Sequence, residues 1–311
     1  MEELEGARVV VTGASGFLGK AVVKQLTEAG AIVFQVQRQT GYDLTNQADA
    51  FRCVINYRPQ IIVHLAARVG GIIANMANPA SFYSDNLKMG MNIIEASYIG
   101  KAKLVSCGTI CSYPKHCDVP FKEEDFWKGF PEETNAPYGI AKKAQLVQMQ
   151  AYRKQYGLRF AYLTPTNMFG KEDNFDSAMS HVIPAMIKKF SFAKVSNANE
   201  VKLLGTGKVT RSFLYVDDCA EAIAIAAAKL DYDDVVNLPG TEEISMSDLA
   251  EKIAKISGYQ GKIAWDPTMP DGQPRRFISG DRAKKLLGWQ PQTGLDEGLK
   301  TVIDWYEKNS K

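Results

Sequence analysis

The sequence has little of several things. Its 311 residues include three histidines and five cysteines: Cys53, Cys107, Cys111, Cys117 and Cys219. An odd number of thiols in so long a chain argues against a disulfide scaffold and for a reducing, cytoplasmic setting. No histidine stands near a second His or a Cys at a metal-ligand spacing, so no metal site is indicated. Charge of one sign is also missing, with 37 Lys+Arg against 35 Asp+Glu for a net of +2. Without a basic block or an interleaved aromatic groove, nucleic acid is not expected as a ligand. The most apolar runs, 61–67 and 222–228, fall far short of the roughly 20 residues that span a bilayer. The acidic opening is unlike the basic start of a signal peptide, and no membrane partner is expected. There is no internal repeat and no low-complexity segment.

What is present is an ordinary globular composition, 45% hydrophobic and 23% charged, enough for one large core or two modest ones. Strand-like runs at 8–12, 31–37, 60–65, 103–106 and 160–164 alternate with helical patterns at 16–29, 47–58, 86–99 and 138–156. That alternation predicts an α/β fold with a Rossmann-type doubly wound parallel sheet. After about Asn167 the pattern loosens. A Gly/Asn/Ser-rich stretch over 175–200 surrounds one amphipathic helix, and a Gly205-Thr206-Gly207 turn follows. Helices are predicted near 216–229, 245–258 and 294–309, with Ser245 and Asp248 suited to a capping box; 265–276 reads as a loop.

Directly after the first strand comes Gly13-Ala14-Ser15-Gly16-Phe17-Leu18-Gly19. Glycines at this spacing allow a tight turn, so that a pyrophosphate can rest on backbone N–H groups at the positive end of a helix. A site built for NAD would carry Asp or Glu at the end of the second strand, to accept from the ribose 2′-hydroxyl. Here stand Gln37, Arg38 and Gln39. Arg38 suits a 2′-phosphate and favours NADP; the alternative is a solvated strand-end charge.

Of the 13 tyrosines, only Tyr138 has a Lys four residues later, Lys142. In a helix started by Pro137 both fall on one face, where an ammonium is expected to lower the phenol's pKa from about 10. Such a phenol passes a proton to a carbinol oxygen while a nicotinamide exchanges hydride. Gly108-Thr109 ends the fourth strand at the same sheet edge and supplies a further hydroxyl.

With these residues in view, the chain resembles the extended short-chain dehydrogenase/reductase family and, within it, the epimerase/reductases of GDP-4-keto-6-deoxymannose. The likeness runs nearly end to end. It includes the run from Leu65-Ala66-Ala67-Arg68 to Val69-Gly70-Gly71-Ile72, Pro165-Thr166-Asn167, Asp173-Asn174-Phe175 and Ser180-His181-Val182-Ile183-Pro184. Arg211-Ser212-Phe213-Leu214 and Pro270-Asp271-Gly272 extend it.

The resemblance implies two epimerisations flanking a 4-keto group, then hydride transfer from NADPH to C4. It assigns Cys111 and His181 to the proton transfers, and Tyr138, Lys142 and Thr109 to the C4 oxygen. On the residues alone, Cys111 and His181 are equally compatible with packing. The implied cofactor contacts beyond the glycine turn are Arg38, Asp43, Leu44, Leu65, Ala66, Ala67, Tyr138, Lys142, Pro165, Asn167 and His181. The implied nucleotide-sugar contacts are Val69, Gly70, Thr109, Asn167, Val182, Lys189, Leu204, Arg211 and Arg276. It further implies an NADP-binding domain over 1–166 with a returning segment near 209–240, a smaller C-terminal α/β substrate-binding domain over 167–311, and a homodimer through helices 86–99 and 138–156.

The chain departs from the family pattern in four places: Thr109-Ile110 for Ser-Ser, Leu204 for a Trp against guanine, Lys189 for Arg and Arg68 for Lys. A reductase or epimerase of another nucleotide 4-keto sugar, such as a heptose or rare deoxyhexose, and a non-catalytic NADP-binding protein stay open as alternatives. Among the remaining thiols and imidazoles, Cys53, Cys107 and Cys219 read as inert packing and Cys117 as a surface thiol. His64 reads as a satisfied core histidine and His116 as loop.

Overall fold

The computed structural model describes residues 2–175, 180–269 and 271–310; Pro270 of the quoted motif lies outside them. The first half runs β1 (Arg8–Thr12), α1 (Phe17–Glu28), β2 (Ile32–Val36), α2 (Gln47–Tyr57), β3 (Ile61–His64), α3 (Ile72–Ala77), α4 (Pro79–Ile99), β4 (Lys103–Cys107), α5 (Ala136–Tyr156) and β5 (Phe160–Pro165). The second runs β6 (Asn167–Phe169), α6 (Val182–Val195), β7 (Glu200–Leu204), β8 (Thr210–Tyr215), α7 (Val216–Lys229), β9 (Val235–Leu238), β10 (Glu243–Ser245), α8 (Met246–Ser257), β11 (Lys262–Asp266), β12 (Arg275–Arg276), α9 (Asp281–Leu287) and α10 (Leu295–Asn309).

Six strands form one all-parallel sheet in the order β2-β1-β3-β4-β5-β9. Both faces are covered, which is why β1 is a continuous valine run and not an alternating one. Val9 and Val11 join the apolar cluster shared with α1, α7 and α9, while Val10 points into the opposite cluster with α2, α4 and α5. The strand order reverses between β1 and β3, which opens a crevice beyond their carboxyl ends. β9 comes from far along the chain and closes the sheet's edge, so residues after β8 return to the first unit. No helix among the described residues is long and apolar enough to cross a membrane.

The remaining elements build a second unit: β8 flanked by β10 and β12 with β6 also paired to it, and a separate β7–β11 ribbon. Its core gathers the buried faces of α6, α8 and α10, where Leu249 and Ile253 repeat at helical spacing opposite Leu299 and Ile303. Ser245 Oγ accepts from the Asp248 N–H at 3.1 Å. Asp248 returns its carboxylate to the Ser245 hydroxyl at 2.6 Å, not to the backbone N–H of a reciprocal box.

Two stretches differ from the sequence-based reading. The helix expected over 86–99 begins at Pro79; Pro is suited to a first turn, but the mixed residues after it have no clear apolar stripe. The expected loop over 265–276 holds the end of β11 and all of β12. Parallel pairing with Glu200–Leu204 and with Thr210–Arg211, invisible to local patterning, makes these residues strand.

Candidate active site

The glycine turn leaves β1 and bends directly under the β3–α3 loop. Gly13 has φ +68° and a Cβ there would stand 2.8 Å from the Ala66 nitrogen, while a Cβ on Gly19 would collide with the Gly13 carbonyl. Only glycine fits this approach. Gly16 caps α1 with no side-chain hydrogen bond, leaving the first N–H groups free for an anion. Thr12 Oγ1 accepts from the Leu65 and Ala66 N–H groups, each at 3.2 Å, and so ties the second wall of the cradle to the first. At the end of β2, Arg38 pairs with Asp43 at 3.2 Å on an exposed rim. Asp43 also accepts from the Thr45 hydroxyl at 2.8 Å.

Across the sheet edge, Thr109 Oγ1 accepts from the Cys111 N–H at 3.2 Å, which caps the short 3-10 turn Ile110–Ser112. The first turns of α5 carry Tyr138 and Lys142. Gly139 allows the helix to lie against that turn, since a Cβ there would meet the Cys111 carbonyl. Lys142 is 2% exposed and donates from Nζ to the Cys107 carbonyl at 2.9 Å. The expected lowering of the Tyr138 phenol is not what the structure shows. Burial pushes that pKa above its ordinary value, the neighbouring thiols Cys107 and Cys111 add to the rise, and the Thr109 hydroxyl opposes it. Burial also pulls the Lys142 ammonium down. Dehydration outweighs attraction here because the ammonium is committed to a backbone carbonyl.

The thiol of Cys111 lies 3.6 Å from Nη1 of Arg276. Arg276 is itself held by Gln273 Oε1 at 2.9 Å and faces Glu132 at 3.9 Å. Its register partner Arg211 donates to the carbonyls of Thr210 at 2.7 Å and Asp271 at 3.3 Å. Burial and the adjacent Arg276 push the Arg211 pKa down to about 10. Two such guanidiniums side by side call for an anion. Lys189 donates to the Lys202 carbonyl at 2.9 Å, and Leu204 is half exposed. Asn167 donates to the Ser212 carbonyl at 3.1 Å. His181 Nδ1 stands 3.5 Å from Asp173 Oδ1, and this carboxylate raises the imidazole above its ordinary pKa against the pull of burial.

Every catalytic, cofactor and substrate residue named from the sequence lines one cavity of about 1030 Å³. That reaches the upper end of the roughly 300–1,000 Å³ of a single small-molecule site. The glycine cradle, the Arg38 rim and the walls at Leu65–Ala67 and Pro165 fit a dinucleotide. Three residues of the site went unassigned in the sequence. Asp271 accepts from the Thr206 N–H and hydroxyl at 2.8 and 2.6 Å and pins the Gly205–Gly207 turn; Asp173 and Glu132 support His181 and Arg276. All three sat inside motifs that carry the resemblance, Glu132 in the run from Pro131 to Lys142, but none had been given a role.

Among the other thiols, Cys53 and Cys219 are buried. Cys107, read as inert packing, faces the cavity. Cys117 is half-buried and not a surface thiol; burial and then Asp125 push it up to about 12, because its loop folds over the apolar cluster around Phe121 and Phe126. His64 is buried, with Nδ1 2.8 Å from Thr12 Oγ1. Its Nε2 has no partner, so it is satisfied on one side only.

Residues 9–238 match the model of the NAD dependent epimerase/dehydratase family. The GDP-L-fucose synthase of Sinorhizobium fredii (strain NBRC 101917 / NGR234) is 38% identical over 307 residues, covering 98% of this chain and 97% of that protein. The GDP-L-fucose synthase of Escherichia coli (strain K12) is 33% identical, with 97% of each chain covered. Among solved structures, a GDP-6-OMe-4-keto-L-xylo-heptose reductase from C. jejuni superposes with TM-score 0.92 at 27% identity over 99% of both chains. A GDP-L-fucose synthetase from Naegleria fowleri bound to NADP gives 0.88 at 26% identity, over 98% of this chain and 95% of that one. The chain belongs to the NAD dependent epimerase/dehydratase family, in its GDP-L-fucose synthase branch.

Proposed function

We propose that this enzyme converts GDP-4-keto-6-deoxymannose to GDP-L-fucose with NADPH, by two epimerisations and one reduction in a single site. The observation that carries the reading is the one cavity that joins a dinucleotide cradle, a Tyr–Lys pair, a thiol and an imidazole, and two adjacent guanidiniums. NADPH, when bound, supplies the hydride for C4. Tyr138 and Thr109 donate to the C4 oxygen, and Tyr138 gives it a proton. Its raised pKa keeps the phenol protonated until an oxyanion develops. Cys111 and His181 exchange the protons on the flanking carbons, the base and acid that each epimerisation needs. Arg211 and Lys189 hold the diphosphate.

Arg38 supports NADP over NAD, with a 2′-phosphate taking the place that Asp43 holds beside it. We assign cofactor binding to 1–166 with the returning segment 209–240, and substrate binding to 167–311. A homodimer is supported by the half-exposed apolar row Met91, Tyr98, Ile99, Val147 and Tyr156 on α4 and α5, where Tyr98 stacks on Tyr156 at 4.6 Å. The five free thiols support a cytoplasmic location.

A second reading, a reductase of a GDP-linked 4-keto heptose, is favoured by the fit to the heptose reductase and by the aliphatic Leu204 at the nucleotide end. Purified protein given NADPH and GDP-4-keto-6-deoxymannose is expected to oxidise the cofactor and form GDP-L-fucose. Oxidation only with a 4-keto heptose, with the flanking carbons unchanged in the product, would replace the first reading by the second.

A further inference from the structure

Asp173 has no role in the reaction as described, yet its side chain is only 3% exposed. It follows β6, in the loop that leads towards α6. Its Oδ1 accepts from the Asn174 N–H at 2.7 Å and stands 3.5 Å from Nδ1 of His181. Its Oδ2 and the His181 Nδ1 are both sealed from solvent and make no hydrogen bond among the described residues. Leaving a buried carboxylate oxygen without a donor is costly, and proteins tolerate this where an opposite charge stands beside it. His181 is that charge when protonated.

The burial of the imidazole is one-sided. Nδ1 is closed off while the side chain as a whole keeps 44% exposure, so the open part lies away from Nδ1, and the residue lines the cavity. The loop is tethered from behind. Glu172, in the left-handed region at φ 62°, pairs with Lys20 at 2.5 Å. Lys20 lies on α1, the helix that opens at the glycine cradle. With Glu172 turned outward to α1, Asp173 is turned inward to the imidazole.

We propose that Asp173 is the positioning residue of His181: the carboxylate holds Nδ1 and presents Nε2 to the substrate carbon for the proton transfers of epimerisation. The inference rests on the reading of His181 given above. Nδ1 keeps its hydrogen towards Asp173 throughout, so only the Nε2 proton moves. In each epimerisation Cys111 takes one proton from carbon and His181 returns one from Nε2 on the opposite face. The sugar's proton count is unchanged, and thiol and imidazole re-equilibrate with water. Among the described residues Asp173 is the charged group that shifts the protonation of His181.

The test begins with the unaltered protein. The chain has three histidines, and burial holds His64 at about 3, so imidazole nitrogen NMR follows His181 with only His116 beside it near neutral pH. The expected result is an Nδ1–H tautomer and a titration midpoint above the ordinary value. An Nε2–H tautomer or an ordinary midpoint overturns the proposal without any variant. In Asp173→Asn the midpoint is expected to fall, and incorporation of solvent deuterium into GDP-4-keto-6-deoxymannose to slow at least about tenfold. NADP affinity should stay within about twofold, and reduction of an already epimerised 4-keto sugar should persist. Parallel loss of NADP affinity and exchange would make Asp173 a structural residue and end the proposal. If the NMR signature stands but the unaltered enzyme exchanges no deuterium, the pairing is upheld and the GDP-fucose reading is the one that fails.

Discussion

The two ends of the cavity are built from different materials. At the cofactor end the contacts are mostly backbone: glycines that cannot carry a Cβ and free N–H groups at the start of α1, with the Thr12 side chain tying two loops together. At the substrate end they are side chains from distant parts of the chain. Arg276 reaches Cys111 across 165 positions of sequence, and Asp173 meets His181 beside a loop. A backbone site is set by local conformation and changes little with the residues around it. A side-chain site is retuned by single substitutions, which is where this chain differs from its family pattern: Lys189 and Leu204 are both at that end.

The hardest test of this contrast lies at the seam, where both ends meet the reacting carbon. Tyr138→Phe removes one hydroxyl and leaves the walls in place. Turnover should fall by about 10²–10⁴-fold, the range for loss of a positioned general acid, while affinity for both ligands stays near normal. A variant that retained full turnover would detach the Tyr–Lys pair from the chemistry. Next in size is Gly19→Val, which sets a side chain against the Gly13 carbonyl. Because the obstacle is backbone, the cradle has no rotamer by which to yield, and NADP affinity should drop by about 100-fold or more with the second unit still folded. Normal binding would show that the cofactor end is not built from backbone.

Substitutions at the substrate end should act more selectively. Arg276→Met keeps much of the length and apolar stem but removes the cation from beside the Cys111 thiol and from opposite Glu132, which keeps its hydrogen bonds from Thr134 and Asn135. Solvent-deuterium exchange should slow by about tenfold, with cofactor affinity unchanged, as measured by exchange and by NADP titration. Equal damage to both would mean that Arg276 only braces β12.

This division also explains what was legible in advance. Five of the six strands of the parallel sheet were readable because each is a local apolar run, while β9 (Val235–Leu238) fell only within the expected returning segment near 209–240. Gly13, Gly16 and Gly19 carry their reason in their spacing, and so does the Tyr138–Lys142 pair. β12 is two arginines whose strand state depends on pairing with Thr210 and Arg211, and no local pattern encodes that. The dehydration of Tyr138 was hidden for the same reason: the spacing places the ammonium on its helix face, but only the packed site shows Lys142 committed to the Cys107 carbonyl. Asp173 stood in plain view in Asp-Asn-Phe, yet nothing in that motif marks His181 as its partner; the 3.5 Å approach of the two side chains is a tertiary contact.

The buried His64 and the half-buried His181 sharpen the contrast at its smallest scale, because their effects on stability have opposite signs. His64, under the cofactor end, is held neutral: burial, with the Lys142 charge adding to it, pulls its pKa down to about 3. Unfolding lets it take up a proton at any pH below about 6.5. The folded state therefore loses about 1.4 kcal/mol for each pH unit of acidification between about 6.5 and about 3. His181 has a raised pKa, so its contribution is fully present below about 6.5 and is lost as pH rises through the folded value. Urea unfolding at pH 7 and pH 5 should show the protein less stable at pH 5 by about 2 kcal/mol from His64 alone, with His181 leaning the other way. In His64→Gln the acid loss should shrink, and in Asp173→Asn it should grow. An acid loss unchanged in His64→Gln would show that this imidazole is already protonated in the folded protein. Lys142 would then sit above a second cation, and the dehydrated account of the Tyr138–Lys142 pair would have to be abandoned.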